Sequence, residues 1–218
     1  MTAFHRMAAD DPRLAPSDDL EVALAHLHDA DLADETAEGH RRDVMRFVEE
    51  HDDAAVRANL EGHLTGSALV VDAVGERTLL MLHRKLGRWF QPGGHADGDT
   101  NLAGVALREA MEETGLDGLQ VVLPAIDVDV HRVEPPAEAP HLHLDVRYLV
   151  LAPEGAVEQG NAESIALRWV TEAEVGALEP SVDESTLRLI RRGLAVAQDV
   201  LHDPSGPADP AESADPTS

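Results

Sequence analysis

Cysteine is absent from this chain of 218 residues, and lysine occurs only at Lys85. Without cysteine the protein can form neither a disulfide framework nor a thiolate zinc site, and catalysis through a cysteine nucleophile is excluded. Apolar runs as long as the roughly 18 residues of a membrane-spanning helix are also missing. The first residues carry acids and prolines where a signal peptide would need an apolar stretch, so we expect a cytoplasmic protein.

Positive charge is scarce as well. The chain has 17 Lys and Arg residues against 42 Asp and Glu residues, which gives a formal net charge of -25 at pH 7. Nucleic-acid backbones and anionic membranes are bound through clustered Lys and Arg. The charge balance therefore argues against DNA and membranes as partners.

The chain divides by composition into four parts. The first is polar and punctuated by prolines, and the last is rich in Pro, Ala, Ser, Gly and Asp, so neither is expected to join a core. Apolar residues at helical spacing indicate two helices in the second part, one carrying Leu20, Leu24 and Leu27 and one at about 37–51, and suggest a short third at 52–60. Strands, the first at 68–74, and further helices follow in the third part. The expected parts are a flexible N-terminus (1–17), a helical extension (18–62), one catalytic domain (63–202) and a disordered tail (203–218).

The clearest chemical signal is the segment 94–116, GHADGDTNLAGVALREAMEETGL, which we call the box. Its Glu109, Glu112 and Glu113 are spaced three and four positions apart, so a helix places their carboxylates on one face, where they repel one another. A hard divalent cation converts that repulsion into binding, because Mg2+ prefers carboxylate oxygens. The sequence predicts a metal-binding helix that ends at Gly115.

The box resembles the signature of the Nudix hydrolases: a glycine, five residues, a glutamate, seven residues, then Arg-Glu-aliphatic-any-Glu-Glu-any-Gly-aliphatic. The matching residues are Gly94, Arg108, Glu109, Glu112, Glu113, Gly115 and Leu116, with Ala110 as a weak match. Thr100 departs from the pattern, because the family has its first glutamate there, usually tied to the motif arginine. Arg108 must then pair elsewhere. The candidate partners are Asp97, Asp99 and Glu112, of which we favour Glu112 for its i, i+4 spacing.

The resemblance implies an α/β Nudix fold, with a mixed β-sheet sandwiched between helices and preceded here by the helical extension. It also implies a hydrolase that uses Mg2+ or Mn2+ to cleave a diphosphate bond in a nucleoside diphosphate linked to another moiety. The expected partner is thus a small nucleotide-like diphosphate. The implied metal ligands are the backbone carbonyl of Gly93 and the carboxylates of Glu109, Glu112 and Glu113, and Arg108 would orient a box glutamate.

One more glutamate is implied by the resemblance, in the loop before a strand that ends in tryptophan, where it serves as metal ligand or general base. Glu163 occupies that place ahead of Trp169. Glu158 and Glu154 lie in the same loop. We assign the role to Glu163 and keep its two neighbours as alternatives.

Polar side chains alternate along the strand predicted at 141–152, so they point to one side of it. They are His141, His143, Asp145 and Arg147. Such a row lines the substrate pocket, holds a metal, or is the polar face of a half-buried strand, and the pattern alone favours the last. The resemblance raises the first possibility, because the corresponding Nudix strand often borders the substrate.

Basic and imidazole groups near the box complete the predicted substrate-binding set. Arg84 and Lys85 form a small basic island after an apolar strand, and His95 directly follows the first box glycine. Arginine binds phosphate bidentately and lysine as a point charge. The predicted set is Arg84, Lys85, His95, His143 and Asp145, and ordinary solvated loops are the alternative for the first three.

Two other functions stay open. The missing box glutamate at Thr100 suits a protein that kept the fold but binds nucleotides with little catalysis. Pyrophosphate removal from RNA 5′ ends is a known family activity, although the acidic charge argues against a long RNA track. The sequence does not choose between ADP-ribose, oxidised nucleotides, dinucleoside polyphosphates and sugar nucleotides, and it leaves open whether the chain forms a homodimer.

Overall fold

Eight strands form one mixed sheet in the computed structural model, which describes residues 3–134 and 139–202. The strands are β1 (His5–Ala8), β2 (Gly62–Val71), β3 (Thr78–His83), β4 (Trp89–Phe90), β5 (Gly93–His95), β6 (Gln120–Val133), β7 (His141–Leu151) and β8 (Ser164–Val170). The helices are α1 (Leu20–Asp29), α2 (Glu35–Glu50), α3 (Leu102–Thr114), α4 (Glu172–Val175) and α5 (Glu184–His202). The strand order is β1-β6-β7-β2-β3-β4, with β5 paired to β2 and β8 to β3.

The centre of the sheet is a parallel pair, β2 with β7, whose register runs from Gly62 opposite Leu142 to Val71 opposite Leu151. All ten residues of β2 are buried. Parallel strands are usually covered on both faces, which explains why residues 68–71 of β2 are all apolar instead of alternating.

Helices cover both faces of this sheet. On one face, α1, α2 and α3 pack over side chains such as Leu64, Ala68 and Tyr148. On the other, α5 packs its Leu189 and Ile190 against Leu69 and Leu149. The expected α/β architecture with a mixed sheet between helices is thus confirmed. In the described residues, no helix has both the length and the apolar character needed to cross a membrane.

The N-terminal extension contains the two expected helices. Asp19 caps α1 by accepting a hydrogen bond from the backbone of Glu21, and Asp34 caps α2 in the same way. The region 52–60, where a third short helix was expected, consists of turns and bends instead. The boundaries of the extension and of the catalytic domain stay predictions, and the tail at 203–218 lies outside the described residues.

The predicted flexible N-terminus is wrong for residues 5–14. Here β1 pairs with the edge strand β6, with Met7 opposite Val121, and a short 3-10 turn (Pro12–Leu14) follows. Met7 and Leu14 are buried. The polar, proline-containing composition gave no sign of this order, because it comes from hydrogen bonds to a distant strand rather than from a local pattern.

The box helix α3 begins and ends as its sequence predicts. The Asn101 side chain accepts a hydrogen bond from the backbone of Gly104 at the start. At the end, Gly115 takes the left-handed conformation, with φ of 65°, and its N–H donates to the Met111 carbonyl at 2.9 Å. Only glycine adopts that conformation at low cost, so the helix stops there.

Candidate active site

The carboxylates of α3 pack directly against the two glycines of β5. A Cβ atom added to Gly94 would lie 2.3 Å from the side-chain carboxyl carbon of Glu109. The backbone N–H of Gly93 donates a hydrogen bond to the Glu113 carboxylate at 3.0 Å. Glycine is needed at both positions for different reasons: a side chain on Gly94 would collide with the Glu109 carboxylate, and one on Gly93 would lie 2.3 Å from the Ser67 hydroxyl.

Burial and mutual repulsion act on these carboxylates as the helical spacing predicts. Burial, together with the charges of Glu109, Glu163 and Glu112, raises the pKa of Glu113 from 4.5 to about 7, against the effect of the Gly93 hydrogen bond. Burial and then the charge of Glu112 also raise the pKa of Glu109. Glu112 is exposed.

Such a site favours a ligand that supplies positive charge. Three carboxylates on one helix face, beside the backbone of Gly93, offer only oxygen donors. This donor set fits a hard divalent cation such as Mg2+. The predicted metal ligands of the box are thus brought together, and their role as ligands stays a prediction.

Arg108 pairs with Asp99 and not with Glu112, the partner we favoured. Its Nη1 atom lies 3.3 Å from Oδ2 of Asp99. Asp99 is well placed because its other oxygen also accepts hydrogen bonds from the backbone of Asn101 and Ser17, at 3.0 and 3.2 Å. The i, i+4 rule fails here because this carboxylate is already fixed by the turn that starts the helix.

Asp97, the third candidate, pairs with Arg57 of the N-terminal extension. The Nη2 atom of Arg57 lies 2.6 Å from Oδ2 of Asp97. The extension therefore contacts the loop between β5 and α3.

Thr100, which stands where the family has its first glutamate, is also held by the extension. Its side-chain hydroxyl donates toward the carbonyls of Ser17 and Asp19, at 3.1 and 2.7 Å, and its N–H donates to the Ser17 carbonyl at 2.7 Å. Thr100 is 1% exposed. Instead of a glutamate that pairs with the arginine, this chain has a buried threonine that fastens the start of α3 to the N-terminal segment.

Glu163 lies in a loop that is anchored to the end of α3. The Gln159 N–H donates to the Thr114 carbonyl at 2.7 Å, and the Asn161 side chain donates to the Glu112 carbonyl at 3.4 Å. The Glu163 side chain is exposed, yet its charge contributes to the raised pKa of Glu113, which burial raises most. The loop thus brings a fourth carboxylate toward the box glutamates.

The two alternatives to Glu163 lie elsewhere. Glu158 accepts a hydrogen bond from the indole N–H of Trp169 at 2.9 Å. Glu154 and Glu158 line a separate cleft together with Arg77 and Trp169, and no box residue lines it within the described part of the chain. This placement favours Glu163 for the metal or general-base role, which stays a prediction.

The five predicted substrate-binding residues do not form one group. Arg84 is engaged by the Glu163 loop, because its guanidinium donates to the carbonyls of Ala162 and Ser164 at 3.0 and 2.8 Å. Lys85 is exposed in the adjoining turn. Arg84 is therefore placed to position the loop, and its predicted contact with phosphate is untested.

Asp145 is enclosed rather than open to a substrate. Its carboxylate accepts hydrogen bonds from Thr65 at 2.9 Å and Ser67 at 2.8 Å, and Arg147 lies 2.7 Å away. Arg147 also pairs with Asp127 and is itself 3% exposed. This part of the polar row is a buried ion network.

His95 and His143 are adjacent, with ring centroids 4.9 Å apart, and both contact His63. Our reading of the sequence missed His63, because the strand was expected to begin at residue 68. The available signal was the alternation of His63, Thr65 and Ser67 just upstream. Polar residues at every second position indicate a strand face, but they do not reveal which other strand lies beside it.

A protein-family model described as NUDIX domain matches residues 63–192. A NUDIX-family hydrolase from Clostridium perfringens is 21% identical over 62% of this chain and 97% of its own, with a TM-score of 0.48. The C. elegans Ap4A hydrolase is 17% identical over 61% of this chain and 96% of its own, with a TM-score of 0.49. The NUDIX domain of Shewanella oneidensis NrtR, complexed with ADP ribose, is 21% identical over 69% and 96%, with a TM-score of 0.48. No curated protein matches the chain.

Proposed function

Since the chain belongs to the Nudix family of hydrolases, we propose that it cleaves the diphosphate bond of a nucleoside diphosphate linked to another moiety, with Mg2+ or Mn2+ as its metal ion. The observation that carries this proposal is the packing of Glu109 and Glu113 against Gly94 and Gly93. That packing concentrates negative charge at one place beside an open backbone. The substrate is small, and the cytoplasm remains the compartment expected from composition.

The chemistry requires a water molecule to attack one phosphorus atom while the bond from that phosphorus to the bridging oxygen breaks. A Mg2+ ion held there would neutralise the charge of the diphosphate and polarise the attacking water. Glu109, Glu112 and Glu113 would hold it, together with the carbonyl of Gly93. Without a cation these carboxylates repel one another, which makes their close packing unfavourable.

The protein's own groups have separate tasks in this proposal. Glu163 takes the proton that the water loses, and it lies on a loop that Arg84 and Asn161 hold close to α3. Arg108 and Asp99 fix the start of the helix, so Arg108 acts by positioning. Lys85, exposed in the turn beside that loop, is the group proposed to contact substrate phosphates.

The test is hydrolysis of a panel that contains ADP-ribose, Ap4A, a sugar nucleotide and nucleoside triphosphates, with and without Mg2+. Nucleoside monophosphate and phosphate release are followed for the unaltered chain and for Glu112→Gln, with Glu172→Gln as an exposed control outside the box. We expect turnover of at least one diphosphate and a fall in kcat of roughly 100-fold or more for Glu112→Gln, comparable with losing a strong electrostatic group. Unchanged turnover in Glu112→Gln would contradict the assignment.

The binding-only alternative predicts a different result from the same panel. Micromolar nucleotide binding without turnover would favour it. The binding-only hypothesis was based on the missing glutamate at position 100. The Thr100 hydroxyl, however, binds the N-terminal segment, and three other box glutamates are present. Binding of triphosphorylated RNA at low salt is the matching test for the RNA alternative.

A further inference from the structure

Three histidines from three strands meet on the side of the sheet away from α3. His63 of β2 lies opposite His143 of β7, and His95 comes from β5, which pairs with β2 on its other edge. The ring centroids are 4.9 Å apart for His63 and His95, 5.1 Å for His63 and His143, and 4.9 Å for His95 and His143. One ring nitrogen from each lies within 4.8 Å of the other two. We call these three residues the histidine cluster.

The surroundings of His63 give the strongest indication that this cluster binds a ligand. It is 1% exposed, and no group in the described residues meets hydrogen-bonding geometry with either of its ring nitrogens. Burial and the nearby His141 lower the pKa of His63, and the backbone of Asn59 opposes that shift. A buried imidazole whose ring nitrogens lack well-formed hydrogen bonds is costly, so the position of His63 calls for a cation that accepts a lone pair from one of them.

The surroundings of His143 also favour the neutral imidazole that binds metals. Burial and the charges of neighbouring histidines, His95 first, lower the pKa of His143 to about 3. His141, whose ring centroid is 4.8 Å from that of His63, has its Nδ1 2.8 Å from the Ala139 carbonyl. A carbonyl only accepts, so Nδ1 is the donor in this contact and Nε2 is the nitrogen left for a metal. Metal-binding histidines are commonly oriented by this kind of hydrogen bond.

The histidine cluster is separate from the box carboxylates. A Cβ atom on Gly66 would lie 2.7 Å from the Leu102 carbonyl and 3.2 Å from the Ala106 nitrogen, so Gly66 faces α3. Side chains alternate along a strand, and His63 therefore faces away from that helix. The two groups also differ in chemistry, because one offers carboxylate oxygens and the other imidazole nitrogens.

We propose that His63, His95 and His143 form a binding site for a transition-metal ion of the Zn2+ type, which links β2, β5 and β7 next to Gly93 and Gly94. Neutral imidazole suits Zn2+ and is a poor ligand for Mg2+, so the two sites select different ions. In a tetrahedral site with Zn–N distances of about 2.0–2.1 Å, the ligand nitrogens lie roughly 3.3 Å apart. The present separations of up to 4.8 Å would have to shorten to that value on metal binding. A fourth position is left for water, an anion or the neighbouring His141.

The test measures metal binding directly and does not depend on hydrolysis. The full chain is stripped with a chelator and titrated with Zn2+, and with Co2+ as a visible probe, in millimolar Mg2+ and on the Glu112→Gln background, so that the box does not compete. Bound metal per chain, the Co2+ absorption spectrum and the shift in Tm are recorded. The variants are His63→Asn, His143→Asn and the half-buried His95→Gln, and the control is His28→Asn, an exposed histidine on α1.

We expect one tightly bound Zn2+ per chain, a Co2+ spectrum typical of nitrogen ligands in tetrahedral geometry, and a rise in Tm on adding Zn2+. Each variant of the histidine cluster should weaken binding by at least about 100-fold, since even removing a hydrogen-bond partner of a ligating histidine costs roughly 10- to 100-fold. His28→Asn should bind as the unaltered chain does. If His63→Asn fails to fold, the Zn2+ affinity of His95→Gln decides between the two outcomes.

Equal Zn2+ affinity in His95→Gln and His28→Asn, or the lack of any Zn2+-dependent rise in Tm, would overturn the proposal. Loss of hydrolysis in Glu112→Gln with intact Zn2+ binding would support the histidine site as one separate from the box. The failure of one proposal is therefore distinguishable from the failure of the other.

Discussion

At the scale of single residues, the candidate active site depends on how closely a backbone and two carboxylates approach each other. The hydrogen bond from Gly93 fixes Glu113, and the missing side chain of Gly94 makes room for Glu109. This close approach leaves Glu113 buried near other acids. The metal-free protein therefore carries an electrostatic cost at the place where a cation is expected to bind.

This cost predicts a pH dependence of stability in the metal-free protein. The folded-state pKa of Glu113 is raised from 4.5 to about 7, chiefly by burial, so folding favours the protonated acid. Its contribution to stability is therefore fully present below pH 4.5 and declines as pH rises to about 7, by about 3 kcal/mol in all. With a chelator present, Glu113→Gln should gain that amount over the unaltered chain at pH 8 but not at pH 4.5.

Urea unfolding at the two pH values measures this difference, and comparison of the two chains cancels the titration of all other groups. Glu154→Gln, an exposed change, serves as the matched control. A stability difference for Glu113→Gln that is the same at both pH values would contradict the assignment.

A second residue-scale prediction separates Glu163 from Glu158. Glu163→Gln should lower kcat by roughly 100-fold or more with little change in stability, because an exposed general base is removed. Glu158→Gln should leave kcat nearly unchanged, because its carboxylate serves Trp169 rather than the box. Steady-state kinetics and Tm are measured on both variants. The reverse pattern of kcat values would transfer the role to Glu158.

The box glutamates were predictable from sequence because their spacing within one helix is a local property. The partner of Arg108 was not, since it depends on a turn that fixes Asp99 from two sides. The choice of Glu163 also needed the structure, which shows where the other loop glutamates go. Local periodicity carries information about a helix face, whereas pairings across the chain depend on tertiary contacts.

At the scale of elements, the N-terminal segment is fastened to the start of the box helix. Thr100 binds the backbone at Ser17 and Asp19, and the Asn101 side chain donates to the carbonyls of Arg13 and Ala15 at 2.8 and 3.1 Å. The departure from the family pattern at Thr100 thus coincides with the attachment of an added element. This is a structural reason for the substitution.

Thr100→Val should therefore destabilise the protein by about 0.5–1.5 kcal/mol, because one buried hydroxyl hydrogen bond is lost while the Ser17 carbonyl keeps the Thr100 N–H and the Asp19 carbonyl keeps the Val22 N–H. Thr100→Glu, which restores the family residue, should cost more, because a longer charged group must enter a position that is 1% exposed. Thermal unfolding and the rate of proteolysis within residues 1–17 report both effects. Thr36→Val, at an exposed site in α2, is the control.

Improved stability of Thr100→Glu would show that the glutamate pairs with Arg108 and that the contact between Thr100 and the N-terminal segment is dispensable.

The helices and most strands could be predicted from periodicity and capping residues. The strand β1 and the polar start of β2 could not, because each derives its order from a strand more than fifty residues away, as in the pairs Met7 with Val121 and His63 with His143.

At the scale of the whole molecule, a buried ion network joins the sheet to the last helix. Arg147 of β7 lies 3.1, 3.2 and 2.7 Å from Asp127, Asp129 and Asp145 respectively, and Arg188 of α5 binds the first two of these aspartates. Each charge in this network has a partner. Removing its centre would leave three aspartates buried around a gap.

Arg147→Met should therefore cost about 3–5 kcal/mol of unfolding free energy, which is typical of breaking a buried ion pair from one side. The control is Arg191→Met, whose exposed pair with Glu172 at 3.3 Å contributes no more than about 1 kcal/mol. Urea unfolding of both variants gives the comparison. Equal losses of unfolding free energy in the two variants would show that the buried network stabilises the protein no more than a surface ion pair does.

The parallel pairing of β2 with β7 has a consequence for the order of events during synthesis. It joins residues as far apart in sequence as Thr65 and Asp145, separated by 80 positions. Non-local pairing of this kind forms late, because a long loop must close before its contacts stabilise it. On the ribosome, the box helix is complete while the strand that flanks β2 has yet to be made. Acidic residues already outnumber basic ones in the part that has been made, and this charge repels neighbouring nascent chains, so acidity protects an unfinished sheet from association.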